Sequence, residues 1–362
     1  MLFLKTQVIC VILFQTVYTV NGLLDPVSLA VIGAAAASYF ILSSKDQHDK
    51  SVGSKVVKYI GQKIGAYEGC EDYWIPTNLE ALEVDMKTTV FGQQLAINTI
   101  MGAMRNHLKQ KVPDRALMLS FHGGPGTGKN FIAKMILKNM FRKGENSEYS
   151  IFFRSSIDFP LKEKKEEYKR DIVNKIKEKV YECHRSIFVF DEVEKMPSGL
   201  LDVLSGFVKI GQYREYDFRR VIFILLSNIG SEMLFAETLQ NRNDYGGIRE
   251  EMDETKLHKQ LLAISYNEKG GLEKTGVVKS FGISHYVPFL PLEKQHVIQC
   301  LEKEVAKLHQ VMSNELTAQV LEEMTFQPYS APIFSVGGCK GIAEIAGKLT
   351  EREIKRKEKS RL

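Results

Sequence analysis

The glycine-rich segment GGPGTGKN at residues 123–130 constrains the fold of this 362-residue chain more than any other feature. An apolar run of strand length, residues 116–121, precedes it, and apolar residues at helical spacing follow it. This order predicts a buried strand, a glycine loop and a helix. In such a loop the backbone N–H groups and the helix start face phosphate groups, and Lys129 neutralises the terminal phosphate oxygens.

We therefore predict a nucleotide site in this loop, and a glycine turn without a ligand is the alternative that the flanking strand and helix disfavour. Asn130 stands where Ser or Thr usually follows the lysine, and its amide oxygen can ligate Mg²⁺ as a hydroxyl would. The residues expected to hold the phosphates are Gly123, Gly124, Pro125, Gly126, Thr127, Gly128, Lys129 and Asn130.

Two later apolar runs end in polar residues. The run SIFVFDEVEK at residues 186–195 predicts a buried parallel strand whose carboxyl end carries Asp191 and Glu192. Asp191 suits the outer sphere of Mg²⁺, and Glu192 suits activation of the water that attacks the γ-phosphate. The run VIFILLSN ends at Asn228, whose amide is a candidate partner of the γ-phosphate or the water, although an Asn closing a strand is often only a turn residue.

Apolar runs alternate with helical patterns from residue 93 to the acidic strand, which predicts an α/β fold with a covered parallel sheet. Beyond residue 291 the patterns are helical. We expect a large nucleotide-binding domain at residues 70–286 and a smaller helical domain at 287–362, divided at the two prolines of VPFLPLE.

The first 42 residues contain only two charged side chains. Residues 1–22 have the layout of a secretory signal peptide, with an uncleaved membrane anchor as the alternative. Residues 23–43 form a second apolar segment of marginal hydrophobicity, which favours peripheral membrane association, and residues 44–69 are expected to be a linker.

Charge and cysteine content exclude two classes of site. The net charge of +5 is spread through mixed Lys/Glu stretches, which indicates solvated helix surface and no nucleic-acid partner. No C-x-x-C pair is present, which argues against a structural zinc module. Four cysteines follow the predicted signal, and in an oxidising compartment they allow three disulfide connectivities.

Several unusual motifs occur together in this chain: the Asn of GTGKN, the SIF-F-FDE and F-LSN strands, YVPFLPLE, EEMTF and the GCK of residues 338–340. In these motifs, from about Cys70 to Thr350, the chain resembles the torsins, luminal AAA+ ATPases related to the Clp and Hsp100 proteins. GGPG departs from the torsin pattern, which carries Trp and Thr in place of Gly124 and Pro125.

The resemblance implies an AAA+ P-loop parallel sheet flanked by helices, followed by a smaller, mainly helical domain with a sensor-2 motif. In that motif Lys340 reaches the γ-phosphate. It also implies the disulfides Cys70–Cys183 and Cys300–Cys339. The second bridge is either a plain staple or a switch that shifts the sensor helix and changes nucleotide affinity.

By the same resemblance the protein is an ATP- and Mg²⁺-dependent hydrolase that is weak alone, oligomerises as a homo- or hetero-oligomer, and remodels protein or membrane assemblies in the lumen of the endoplasmic reticulum and nuclear envelope. The luminal domain of a membrane-spanning activator supplies an arginine. Within the chain, Arg242 and Arg249 occupy roughly the right region but fit a polar surface turn equally well.

Two other functions remain open from the sequence. One is a nucleotide-controlled, oligomerising binding module without physiological turnover. The other is a Clp-type unfoldase with an aromatic residue on a pore loop, for which Phe159 is a poor candidate because Asp158 and Pro160 flank it.

Overall fold

The computed structural model describes residues 67–359. The signal peptide expected at 1–22, the apolar segment at 23–43 and the linker up to residue 66 lie outside this range. Residues 67–74 belong to a separate unit from the chain that begins at Ile75, and in them the Trp74 N–H donates to the Glu71 carbonyl (3.0 Å). Among residues 67–359, none of the helices combines the length and the apolar character needed to cross a bilayer.

The described residues form nine strands. In chain order they are β1 (Leu117–Gly123), β2 (Ser150–Arg154), β3 (Ile187–Asp191), β4 (Gln212–Tyr213), β5 (Tyr216–Asp217), β6 (Ile222–Ser227), β7 (His285–Phe289), β8 (Phe326–Gln327) and β9 (Phe334–Ser335). Five of them form a parallel central sheet in the order β2-β3-β6-β1-β7. Two short antiparallel hairpins, β4–β5 and β8–β9, lie outside it.

The central strands β1 and β6 are mostly apolar and are covered on both faces, as is usual in a parallel sheet. Every residue of β1 and of β6 is buried. In the register of these two strands Leu117 lies opposite Ile222 and His122 lies opposite Ser227. The carboxyl ends of β1, β3 and β6 therefore meet at one edge of the sheet.

The helices cover the sheet and build the C-terminal region, and short 3₁₀ turns connect several of them. The helices are α1 (Leu79–Thr89), α2 (Gln94–Lys109), α3 (Lys129–Met140), α4 (Ser155–Asp158), α5 (Lys165–Glu182), α6 (Leu204–Ile210), α7 (Ser231–Tyr245), α8 (Glu254–Asn267), α9 (Gly276–Lys279), α10 (Lys294–Lys307), α11 (Asn314–Glu323) and α12 (Ile342–Lys359).

Several helix starts follow directly from the sequence. The side chains of Asn78, Asp253 and Ser313 cap α1, α8 and α11 by accepting a hydrogen bond from a backbone N–H of the first turn. Helix α5 buries one apolar face against the sheet and exposes its Lys/Glu surface, where Lys169 pairs with Glu166 (2.9 Å). The charged stretch at its start is thus solvated helix surface.

The C-terminal region has its own apolar core. Helices α10, α11 and α12 pack together around buried side chains: Val297, Leu301, Val305, Leu316, Val320, Ile342 and Ala346. This region is helical apart from the β8–β9 hairpin. The chain therefore combines a parallel α/β sheet with a helical C-terminal region, as the sequence predicts.

The division expected between residues 286 and 287 falls inside β7. Val287 and Phe289 pair with Phe121 and Gly123 of β1, so the sheet includes the chain up to residue 289. Pro288 indicated a break, but β7 is an edge strand, where a proline without an N–H costs no ladder hydrogen bond. The helical region begins with α10 at Lys294.

Candidate functional site

A cavity of about 610 Å³ lies at the carboxyl end of the sheet. One wall consists of residues 125–130 of the glycine loop, Asp191, Glu192 and Asn228, and the other of α10 and the segment that contains Cys339 and Lys340. Its volume lies in the ordinary range for small-molecule and cofactor sites, about 300–1,000 Å³. Apart from the two glycines at 123 and 124, the residues that sequence analysis predicted for a nucleotide site thus line a single cavity.

The backbone of the glycine loop excludes side chains at two positions. Gly123 and Gly126 have positive φ angles of 157° and 67°. A Cβ at Gly123 would collide with the Phe289 carbonyl, and a Cβ at Gly126 would collide with the Gly337 carbonyl. Both glycines are therefore required by close backbone approach as well as by conformation.

Lys129 is the first residue of α3, and its side chain is only 8% exposed. Its ammonium donates to the carbonyls of Gly123 (2.6 Å) and Gly124 (2.8 Å) and to Oδ1 of Asn228 (3.0 Å). Burial lowers the pKa of Lys129 from 10.5 to about 8, while the nearby carboxylates of Glu194 and Asp191 oppose this change. Three oxygen atoms thus accept hydrogen bonds from the Lys129 ammonium. The oxygens of a phosphate group are acceptors of the same kind.

Asp191 ends β3 and Glu192 follows it with a left-handed backbone, φ 55°. Ser155 Oγ donates to the carbonyls of both acids, 2.8 Å each, which holds this turn. Burial raises the pKa of Asp191, the hydrogen bond from Asn130 opposes that rise, and the charge of Glu192 adds to it. The Glu192 carboxylate pairs with Lys195. Both acids therefore lie at the carboxyl end of β3 and line the cavity.

Asn130 contacts Asp191 through its amide nitrogen, Nδ2 to Oδ2, at 2.8 Å. The sequence analysis assigned its amide oxygen to Mg²⁺, and that role stays a prediction. In residues 67–359 no three His, Cys, Asp or Glu side chains are grouped to hold a metal. Mg²⁺ commonly binds one or two carboxylates together with waters and substrate phosphates. Burial disfavours the ionised form of Asp191, and a neighbouring cation favours it, so Asp191 fits a Mg²⁺ ion beside a bound phosphate.

Sequence analysis missed two residues that organise this site. Glu194 accepts hydrogen bonds from Asn228 and Ser227, and the buried Gln93 donates to the carbonyls of Thr127 and Leu290. The third acid of DEVEK was the available sequence indication for Glu194. Gln93 had none, because an uncharged residue at a helix start has no distinctive pattern.

The helical region contacts the loop through its main chain. The N–H of Cys339 donates to the carbonyl of Gly126 (3.0 Å), and a disulfide joins Cys339 to Cys300 of α10. Lys340 is exposed and lines the cavity, within the turn that leads into α12. Cys183 is buried at the end of α5, and its pairing with Cys70 stays a prediction.

The two arginine candidates bind one internal acid. Arg242 pairs with Glu293 at 2.7 Å and Arg249 pairs with it at 3.3 Å. Arg249 is buried, and it also donates to the carbonyl of Gly92 (2.9 Å). Neither arginine lines the cavity, and each makes an ion pair with Glu293.

Phe159 is also structural. It is 5% exposed and packs against Phe153 and Tyr168, with ring centroids 5.9 and 5.4 Å apart. A pore-loop aromatic must be free to contact a substrate. The structure therefore argues against the unfoldase interpretation that needed Phe159.

Comparison with known proteins identifies the family. The family model described as Torsin matches residues 65–190, and the one described as Torsin-1A, C-terminal domain, matches residues 292–349. A Torsin-like protein of Caenorhabditis elegans is 36% identical over 280 residues, covering 76% of this chain and 78% of that protein. Torsin-3A of Mus musculus is 33% identical over 279 residues, covering 76% and 72%.

A solved structure supports the fold. The Hsp104–ADP complex of S. cerevisiae aligns with a TM-score of 0.54 at 18% identity, covering 84% of this chain and 53% of that chain. At this identity the similarity concerns the fold alone. Because the two family models match residues 65–190 and 292–349 and the Caenorhabditis elegans relative is 36% identical over most of both chains, the chain belongs to the torsin family.

Proposed function

We propose that the protein binds ATP with Mg²⁺ in this cavity and hydrolyses it. The observation that carries the proposal is the convergence of Lys129, the acid pair and Asn228, which come from three neighbouring strand ends. Ligands of open parallel sheets bind at that edge. The similar Hsp104 structure is a complex with ADP, which agrees with an adenine nucleotide.

In the proposed reaction each residue has a distinct task. Lys129 exchanges its carbonyl partners for β- and γ-phosphate oxygens and neutralises their charge. Glu192 orients and deprotonates the attacking water, and Asn228 contacts the γ-phosphate or that water. Lys340 approaches from the helical region. When bound, Mg²⁺ would neutralise phosphate charge beside Asp191 and Asn130.

An arginine for the transition state is proposed to come from outside the chain. Arg242 and Arg249 are held by Glu293, so using either one would break an internal ion pair. We assign this task to the luminal domain of a membrane-spanning activator, and we propose that the protein acts in a homo- or hetero-oligomer. Hydrolysis by the isolated protein is then slow, because the developing charge lacks one partner.

The proposed location is the lumen of the endoplasmic reticulum and nuclear envelope, with peripheral membrane association through residues 23–43. The Cys300–Cys339 disulfide supports an oxidising compartment. The proposed task there is the remodelling of protein or membrane assemblies.

Replacing Glu192 by Gln tests for turnover. The variant keeps the size of the side chain but removes the proposed base, so it should bind ATP, fail to hydrolyse it with activator present, and copurify from membranes with ATP and the activator. The measurement is nucleotide content and bound partners after purification of the full chain. Variant and wild type that retain the same nucleotide and partners would instead indicate a binding module without turnover.

A further inference from the structure

Glu194 uses both carboxylate oxygens on the turn that follows β6. Its Oε1 accepts from Nδ2 of Asn228 at 2.7 Å. Its Oε2 accepts from the backbone N–H of Asn228 and from Oγ of Ser227, each at 3.2 Å. One side chain thus binds the main chain and the side chain of Asn228 together.

This contact helps to decide which atom of Asn228 faces the phosphate loop. Because the amide nitrogen of Asn228 donates to the carboxylate, its Oδ1 lies on the other side, where it accepts from Nζ of Lys129 at 3.0 Å. Without Glu194, only the hydrogen bond from Lys129 would hold the amide in this orientation. The charge of Glu194 therefore fixes a hydrogen-bond chain that ends at Lys129.

The backbone of the same turn has independent support. The carbonyl of Ile229 can only accept, so Nδ1 of His122 donates to it (3.1 Å), and Nε2 of His122 accepts from Oγ of Ser120 (2.7 Å). Burial lowers the pKa of His122 to about 4, so the imidazole stays neutral. The Ile229 N–H also donates to Ser227 Oγ (3.0 Å). Loss of Glu194 should therefore free the Asn228 side chain, while these hydrogen bonds continue to hold the backbone of the turn.

We propose that Glu194 is a positioning residue that acts through Asn228, and that it sets the discrimination between ATP and ADP. The inference rests on the proposed function and adds a task that Glu192 does not perform. Glu192 lies at the strand end and pairs with Lys195, whereas Glu194 contacts the β6 turn. The two glutamates of DEVEK thus have separate effects, one on turnover and one on recognition of the γ-phosphate.

The test replaces Glu194 by Gln in the full chain and measures the affinities for fluorescent ATP and ADP with Mg²⁺. Gln has an acceptor oxygen at one terminal position and a donor NH₂ group at the other, so it cannot accept at both of the positions where the two carboxylate oxygens of Glu194 do. We expect ATP to bind about tenfold more weakly and ADP to change less than about twofold, because only ATP has a γ-phosphate to which the second N–H of Asn228 Nδ2 would donate. Glu163→Gln, at an exposed acid, is the matched control and should change neither affinity.

A double-mutant cycle with Asn228→Ala separates positioning from general structure. If Glu194 acts through Asn228, the double variant should bind ATP as weakly as Asn228→Ala alone. Thermal melting of each variant monitors the fold. If Glu194→Gln does not fold, Ser227→Ala replaces it. This variant removes one donor to the Glu194 carboxylate and should weaken ATP binding in the same way by a smaller factor. Unchanged ATP preference in Glu194→Gln, or additive effects in the cycle, would overturn the inference. Absence of nucleotide binding by the wild type would instead refute the proposed function.

Discussion

Raising the pH from 7 to 9 should weaken ATP binding about tenfold, because free Lys129 loses its proton over this range. Burial is the main cause of its pKa of about 8. The negative charge of bound phosphates favours the ammonium form of Lys129 and raises its pKa. ATP therefore binds to the form of the protein in which Lys129 is protonated. With a pKa of about 8 the protonated fraction falls from about 0.9 at pH 7 to about 0.1 at pH 9, and the ratio gives the expected loss.

Isothermal titration calorimetry of the full chain with Mg²⁺ at pH 7, 8 and 9 measures this effect. Repeating the titration in two buffers with different ionisation enthalpies should show uptake of about half a proton per ATP at pH 8. Lys340→Met is the control that should keep the pH dependence, whereas Lys129→Met should bind weakly and lose it. An affinity that stays within about twofold from pH 7 to 9, in protein that remains folded, would refute the assignment to Lys129.

The remaining predictions concern backbone approach and the core. Gly126→Ala should abolish ATP binding and lower the melting temperature by at least about 3 °C, because a left-handed alanine would also collide with the Gly337 carbonyl. Gly102→Ala, with open space around its Cβ position, should be neutral or slightly stabilising, and equal behaviour of the two variants would contradict the argument. Phe159→Ala should cost about 3–5 kcal/mol in unfolding experiments, and the exposed Leu161→Ala about 0.5 kcal/mol or less. A Phe159→Ala protein of wild-type stability that fails to act on clients would restore the pore-loop interpretation.

Local patterns predicted the centre of the site well. The strand, loop and helix around Lys129 are contiguous in sequence, so apolar periodicity and glycine spacing determine them together. Asp191 and Asn228 were found because each ends an apolar run, and parallel strands bring such ends to one edge. The family resemblance supplied Lys340 and the Cys300–Cys339 pair, which spacing alone left open.

Contacts between distant segments could not be predicted in this way. Glu194 binds Asn228, thirty-four residues later, and Arg249 binds Glu293, forty-four residues later, and neither pairing leaves a periodic pattern. The domain boundary expected at residue 287 lies within β7, because a proline occurs both in turns and in edge strands. Only the position of β7 at the side of the sheet distinguishes the two cases for Pro288.

The hydrogen bond from Cys339 to the Gly126 carbonyl connects two parts of the molecule through peptide groups alone. Ordinary mutagenesis exchanges side chains and leaves such a link intact, so an alanine scan would overlook it. Semisynthesis that replaces the peptide nitrogen of residue 339 by an ester oxygen would delete only this donor. Weaker ATP binding by that ester analogue would show how much the helical region contributes to phosphate binding by the glycine loop.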